Sequence, residues 1–266
     1  MLVQFLAVCL ATTPFAAADE PKVLPLTRAH AHNDYEHTRP LLDALDHGFC
    51  SVEADIWLVK GELLVGHTPF TLKKERALEK LYLDPLRERA KANGGKVYKD
   101  GPAFYLMIDI KTDAKETYAA LAKVLEEYAD ILTVTRDGKT EAKAVTVVLS
   151  GNRDVKTIAG QKTRYVAIDG RPIDLDGDTS ASLVPWISDS WKTHFKWDGT
   201  GAMPDAERQK LREFVAKAHK QGRKVRFWAT PETAEAWKEL LAADMDFLNT
   251  DKLAELEKFL RNEKKN

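Results

Sequence analysis

Residues 50–57, Cys50-Ser51-Val52-Glu53-Ala54-Asp55-Ile56-Trp57, read as a β-strand whose apolar run is broken by two carboxylates. Side chains two apart on a strand share a face, so Glu53 and Asp55 stand side by side. Apposed anions repel and cost stability unless a cation lies between them. On the wet face of an antiparallel sheet such a pair is ordinary. In a parallel sheet both faces are covered and solvated positions are scarce. The kind of sheet that holds this stretch therefore decides what the pair means.

Working outward, β-type runs recur at residues 26–29, 103–110, 144–149, 164–168, 184–187, 224–228 and 246–249, which with 50–57 makes eight. Helical patterns fall between them at 40–47, 85–92, 114–128, 153–159, 205–220, 231–241 and 253–261. Alternating β and α units imply a parallel sheet. Eight units in this length of chain predict an α/β fold, a closed (β/α)8 TIM barrel forming a single domain. Lys60-Gly61 followed by Glu62-Leu63-Leu64-Val65 reads as a hairpin. With the long stretch from His67 to Asp100 it makes an insertion after strand two. The connection 169–183 is polar and poorly helical, so that layer is expected to be irregular.

Composition narrows the class. The chain has 266 residues, 40 Lys and Arg against 41 Asp and Glu, and a formal charge of −1, so nothing global points to nucleic acid. Residues 1–18 are apolar and uncharged and end in Ala16-Ala17-Ala18 before Asp19-Glu20. This reads as a secretory signal too short to remain in a bilayer. The expectation is a barrel domain over 19–266, secreted or periplasmic, with no stable membrane insertion. Loss of Cys9 with the signal leaves Cys50 as the single cysteine, so no internal disulfide is expected, and Cys50 reads as a small buried hydrophobe.

With these strands, the polar residues gather at strand ends. His30 and His32 follow strand one, Glu53 and Asp55 end strand two, His67 ends the hairpin, and Asp109 and Lys111 end strand three. Barrel enzymes build their sites at that C-terminal mouth. Glu53, Asp55 and Asp109 supply three hard oxygen ligands, which favour one divalent cation, Mg2+ or Ca2+, over zinc. Asp109 interrupts an apolar strand, and a lone buried acid is costly. The imidazoles add groups that move protons near neutral pH. Asp189 and Asp251 also end strands and are candidates to orient a substrate or a ligand. The remaining histidines 37, 47, 194 and 219 read as structural, and Trp186, Trp191 and Trp197 as packing residues.

Ala29-His30, then residues 48–55 (Gly-Phe-Cys-Ser-Val-Glu-Ala-Asp), Gly66-His67 and Asp109-x-Lys111 resemble the glycerophosphodiester phosphodiesterases and the wider phosphatidylinositol-phospholipase-C-like barrels. Phe227-Trp228 and Leu248-Asn249-Thr250-Asp251 are similar to that family's last two strands. The resemblance implies phosphodiester cleavage of a small-molecule or lipid-derived substrate, with Glu53, Asp55 and Asp109 on the metal and His67 as one catalytic histidine. The other is His30 or His32. Ala29-His30 followed by Asn33 fits the toxin-like members of the superfamily and favours His30. His32, Asn33, Lys111 and Trp228 then contact substrate, with Lys111 neutralising phosphate. The chain departs from the usual pattern: the Arg-Gly and Pro-Glu-Asn-Thr after the first histidine are absent, and Asp109 replaces a Glu. Two other readings stand beside this one. A zinc amidohydrolase would use His30-Ala31-His32 but lacks later strand-end histidines, and a metal-binding barrel without turnover would keep the same acids.

Overall fold

The structure, a computed structural model, describes residues 23–263. Eight parallel strands form the main sheet: β1 (Leu26–Ala31), β2 (Phe49–Val59), β3 (Phe104–Ile110), β4 (Val145–Gly151), β5 (Val166–Gly170), β6 (Trp186–Ser190), β7 (Lys224–Trp228) and β8 (Leu248–Thr250). Their spatial order is β7-β6-β5-β4-β3-β2-β1-β8. The ends nearly close through a parallel bridge between Arg226 and Phe247. Around them lie α1 (Leu42–Asp46), α2 (Asp84–Ala92), α3 (Ala114–Glu127), α4 (Val155–Gly160), α5 (Trp191–His194), α6 (Asp205–Lys220), α7 (Ala234–Ala242) and α8 (Leu253–Glu263). This is the TIM barrel that the alternating pattern predicts. No described helix is long and apolar enough to cross a membrane.

Local chemistry explains the irregular parts. Between β5 and β6 only a 3-10 turn, Pro172–Leu175, replaces a helix, in a segment rich in Gly, Pro and Asp. The hairpin strand Glu62–Val65 runs antiparallel to β2, with Leu58 opposite Leu63. A small antiparallel sheet of Val134–Arg136, Lys139–Glu141 and Thr163–Arg164 was not foreseen. Its turn is Asp137-Gly138, both residues at positive φ (48° and 80°), the dipeptide that hairpin turns of this twist require. Helix α3 starts where the Asp113 side chain accepts from Lys115 N (2.9 Å) and Glu116 N (2.8 Å), a cap worth about 1 kcal/mol.

Strand alternation divides the core in two. Val52, Ala54 and Ile56 of β2 and Leu106, Ile108 and Ile110 of β3 belong to the main apolar cluster that includes the helices. The opposite face supplies Met107, Val148, Ala167, Trp186 and Phe247, with Tyr105 packed against them. These plug the barrel interior, where the Trp186 and Phe247 ring centroids are 4.4 Å apart. One residue pair further along the same face, the side chains become Asp109, Ser150, Asp169, Ser188 and Asn249. An apolar floor thus gives way to a polar mouth.

A strained loop closes the β1 side. Leu41 takes φ 64°, and its N–H is held by Asp34 Oδ2 at 2.6 Å, which also accepts from Tyr82 OH at 2.8 Å. Asp34 Oδ1 is buried without a partner. Burial pushes this carboxyl up to about 7. A folded-state value above the unfolded one near 4 means that the folded protein holds a proton the unfolded chain releases. Stability should therefore fall as pH rises from about 4 to 7. Asp34→Asn keeps the acceptor and removes the charge, so at pH 8 it is expected to exceed the parent by roughly 2–4 kcal/mol. The gap should vanish below pH 4. Urea midpoints at the two pH values check this, and a D34N protein weaker than the parent at pH 8 would contradict it.

Candidate active site at the mouth of the barrel

Strand register assembles the acids. Asp55 of β2 lies opposite Asp109 of β3, and Asp109 opposite Ser150 of β4. Glu53, Asp55 and Asp109 each offer a carboxylate oxygen within 4.8 Å of the others. Room for Asp109 depends on Gly151, at φ 67°, where an added Cβ would overlap Asp109 Oδ1 and Ile110 O. The three acids form one wall of a cavity of about 220 Å3 whose lining also includes His32, His67, Lys111, Arg171 and Trp228.

The charges are only partly answered by protein groups. Glu53 Oε2 accepts from Arg226 Nη2 at 2.9 Å. Burial opposes its ionisation, but Arg226 and His30 hold the carboxyl well below the usual range. Lys111 Nζ spans Asp55 Oδ2 (3.0 Å) and Asp109 Oδ1 (2.9 Å). Even so, burial and the Glu53 charge push Asp55 up to about 6, and burial raises Asp109 despite Lys111. Asp55 Oδ1 is buried without a hydrogen-bond partner. Three crowded carboxylates, two of which resist ionisation, with one orphaned oxygen, are what a divalent cation would satisfy. The donor set is all oxygen, and these three residues could hold a metal ion.

The two histidines at the end of β1, His30 within it and His32 just after it, part company. His30 pairs in register with Ser51 and is fully buried. Its ring packs edge-on to Trp186 and Phe247, with centroids 6.1 and 6.2 Å away. Nδ1 lies 2.7 Å from Ser51 Oγ and Nε2 3.5 Å from Glu53 Oε2. Burial, then Arg226, lower it to about 4, so the ring is neutral. It is absent from the cavity lining. His32, two residues on and one layer higher, lines the cavity and places Nδ1 2.9 Å from Asp251 Oδ1. Burial opposes its charged form, but the Asp251 hydrogen bond and Glu53 outweigh it and raise the pKa. His67 emerges from the hairpin with its side chain 60 % exposed, its Nδ1 3.0 Å from Tyr35 OH.

Tyr35 joins these groups. Its hydroxyl lies 2.7 Å from Asp55 Oδ2 and 2.8 Å from the Asn33 side-chain oxygen, and the other end of that amide is 3.0 Å from His32 Nδ1. One phenol carries one proton. Asp55 is the stronger acceptor, and burial and Asp55 raise the phenol so that it keeps that proton. The His67 Nδ1–H and the amide NH2 of Asn33 then both donate to the phenolic oxygen. This turns the amide oxygen toward His32 Nδ1–H, an orientation assigned from the network. Both rings take the same tautomer, and neither Nε2 has a hydrogen-bond partner among the described residues.

Of the residues expected at the site, His32, Asn33, Glu53, Asp55, His67, Asp109, Lys111 and Trp228 line the cavity, and His30 lies beneath it. Asp189, the other strand-end acid, pairs with His194 at 2.7 Å and is not in the lining. Tyr35, Ser150, Arg171 and Arg226 were not foreseen. Arg226 left a readable mark, since it interrupts Val225-Arg226-Phe227 in the middle of a buried strand. Arg171 follows a strand end in a loop and left none.

Comparison with known proteins gives the family. A model of the AIM6-like phosphodiesterase domain matches residues 20–169. One of the glycerophosphoryl diester phosphodiesterase family matches residues 224–254. Altered inheritance of mitochondria protein 6 of Eremothecium gossypii is 32 % identical over 88 % of this chain and 69 % of its own. A homolog from Arthroderma benhamiae is 28 % identical over 84 % of this chain and 80 % of its own. Two crystal structures share the fold, glycerophosphodiester phosphodiesterases from Parabacteroides distasonis and Agrobacterium tumefaciens. Their TM-scores are 0.52 and 0.53 at 13 % and 15 % identity. They cover 91 % and 89 % of this chain and 99 % and 100 % of theirs. The relatives' names refer to mitochondrial inheritance, which corrects the expectation of a secreted or periplasmic protein. The segment 1–18 read as a signal lies outside the described residues. A match over more than half the chain, with the barrel and its acid cluster, places this protein in the AIM6-like phosphodiesterase domain family.

Proposed function

We propose that this chain cleaves a small-molecule or lipid-derived phosphodiester, with His32 and His67 moving the protons and Glu53, Asp55 and Asp109 holding one divalent cation, Mg2+ or Ca2+. The observation that carries it is two imidazoles with fixed Nδ1 partners on the same cavity as three crowded carboxylates. When bound, the cation supplies Lewis-acid stabilisation of charge on a non-bridging phosphate oxygen. His32, whose charged form Asp251 supports, is suited to give a proton to the leaving oxygen. His67, exposed at the rim, is suited to take one from the attacking hydroxyl of water or substrate. Lys111, on the lining of the same cavity, would neutralise phosphate charge. The family resemblance favoured His30 as the first histidine; its neutral, walled-in ring supports the support role instead, one layer under Glu53.

The test is product release from glycerophosphodiesters, lysophospholipids and phosphatidylinositol, with and without EDTA. Cleavage of at least one class that EDTA abolishes is expected; activity indifferent to EDTA would sink the mechanism. An amidohydrolase gains nothing from the geometry, because no later strand ends in a histidine, and His194, at the end of α5, is bound to Asp189. Tyr35→Phe gives a finer check. It keeps the ring and removes the hydroxyl that holds His67 and Asp55. Losses of this kind run about 10- to 100-fold, expected here in kcat with KM little changed in steady-state kinetics.

A further inference from the structure

We infer that the substituent beyond the phosphate carries an anionic group and that a quaternary ammonium headgroup is rejected, an inference that rests on the phosphodiesterase reading above. The grounds lie on the β5–β7 side of the cavity. Asp169 is fully buried and accepts from the Ser150 and Ser188 hydroxyls and from Arg171 Nη1, the last at 2.9 Å. Arg171 Nη1 also donates to Gly170 O at 2.9 Å. These bonds tether one edge of the guanidinium. Nη2 makes a longer contact with Ser150 Oγ at 3.4 Å, the side chain as a whole is 29 % exposed, and Nε has no hydrogen-bond partner among the described residues. Arg171 Cζ stands 5.2 Å from the centroid of the Trp228 ring, and Arg226 Cζ lies 6.0 Å from it. Both Arg171 and Trp228 line the cavity.

A bare indole in such a place is a cage wall for a quaternary ammonium. Here a fixed guanidinium already occupies it, and a second cation would meet like charge. An anionic oxygen would instead find a planar donor set already oriented by a buried counterion, the arrangement that favours carboxylate and phosphate recognition. A guanidinium serving only to neutralise Asp169 has no need to face the cavity.

The experiment compares the full chain on glycerophosphoinositol 4-phosphate, glycerophosphoinositol and glycerophosphocholine. The anionic headgroup is expected to lead the neutral one by about tenfold in kcat/KM, with choline last. Arg171→Gln should erase the anionic advantage and narrow the gap to choline. Because that change strands Asp169, the double variant D169N R171Q repeats the measurement without a buried unpaired charge. Choline cleaved as well as the anionic headgroup, or preferences unchanged in both variants, would overturn the inference. Calorimetric binding of the same three compounds to H32N H67N separates the two readings. No cleavage by the parent would defeat the phosphodiesterase, while the ratio of dissociation constants still decides the headgroup.

Discussion

His32→Asn is expected to lower kcat by about 10²- to 10⁴-fold, the usual worth of a positioned proton-transfer group, with the thermal midpoint nearly unchanged. His32 is partly exposed, and its bond to Asp251 is at the rim, so its loss removes little packing. His30 behaves oppositely. It is fully buried against Trp186 and Phe247 and bonded to Ser51. His30→Ala should leave a cavity and an unpaired hydroxyl, costing roughly 2–4 kcal/mol. At a temperature where H30A remains folded, its turnover should stay within about tenfold of the parent, since at most the seat of Glu53 shifts. Thermal melts and single-turnover kinetics on both variants decide the matter. A folded H30A that is inert beside an active H32N would return the acid/base role to His30.

The histidine question shows what one chain's sequence conveys and what it withholds. The β/α rhythm and the run 50–57 were enough for the barrel, because strand period and buried acids are local patterns. That Asp55 and Asp109 share the C-terminal mouth followed from the same logic; their direct pairing in register is a finding of the structure. His30 and His32 lie two residues apart where strand one ends, so spacing alone could not separate them. Depth along the barrel did, and depth is set by the β1–β2 register, where His30 meets Ser51. Tyr35 reaches the site through a short 3-10 turn, Asp34–Glu36, and Arg171 through a loop anchored on Asp169 two residues before it. Neither follows a periodic pattern, so their roles depend on tertiary contacts that no spacing rule encodes. Gly151 was equally silent, although its missing side chain is what admits Asp109.

Asp55→Asn should separate stability from function at the acid cluster. In the protein without a cation, Asp55 is 1 % exposed, with Glu53 and Asp109 close by and Oδ1 unpartnered. The amide removes that repulsion and keeps an acceptor for Tyr35 OH and Lys111 Nζ, which approach Oδ2 at 2.7 and 3.0 Å. The metal-free variant is therefore expected to match or exceed the parent in stability by up to about 1 kcal/mol, as strained functional sites do when relaxed. Cation binding should suffer more than stability gains, because a charged ligand is lost outright. The parent, at a free Mg2+ or Ca2+ concentration 100 times its dissociation constant, gains about 2.7 kcal/mol; D55N should show almost none of this shift. Phosphodiester turnover should fall by about 10³-fold or more, the scale lost with electrostatic transition-state stabilisation. Thermal melts with EDTA and then with each cation, run beside the turnover assay, read both halves. A D55N protein that melts lower without metal yet keeps the cation-induced shift would show that Asp55 is a structural anion, and that Glu53 and Asp109 bind the ion without it.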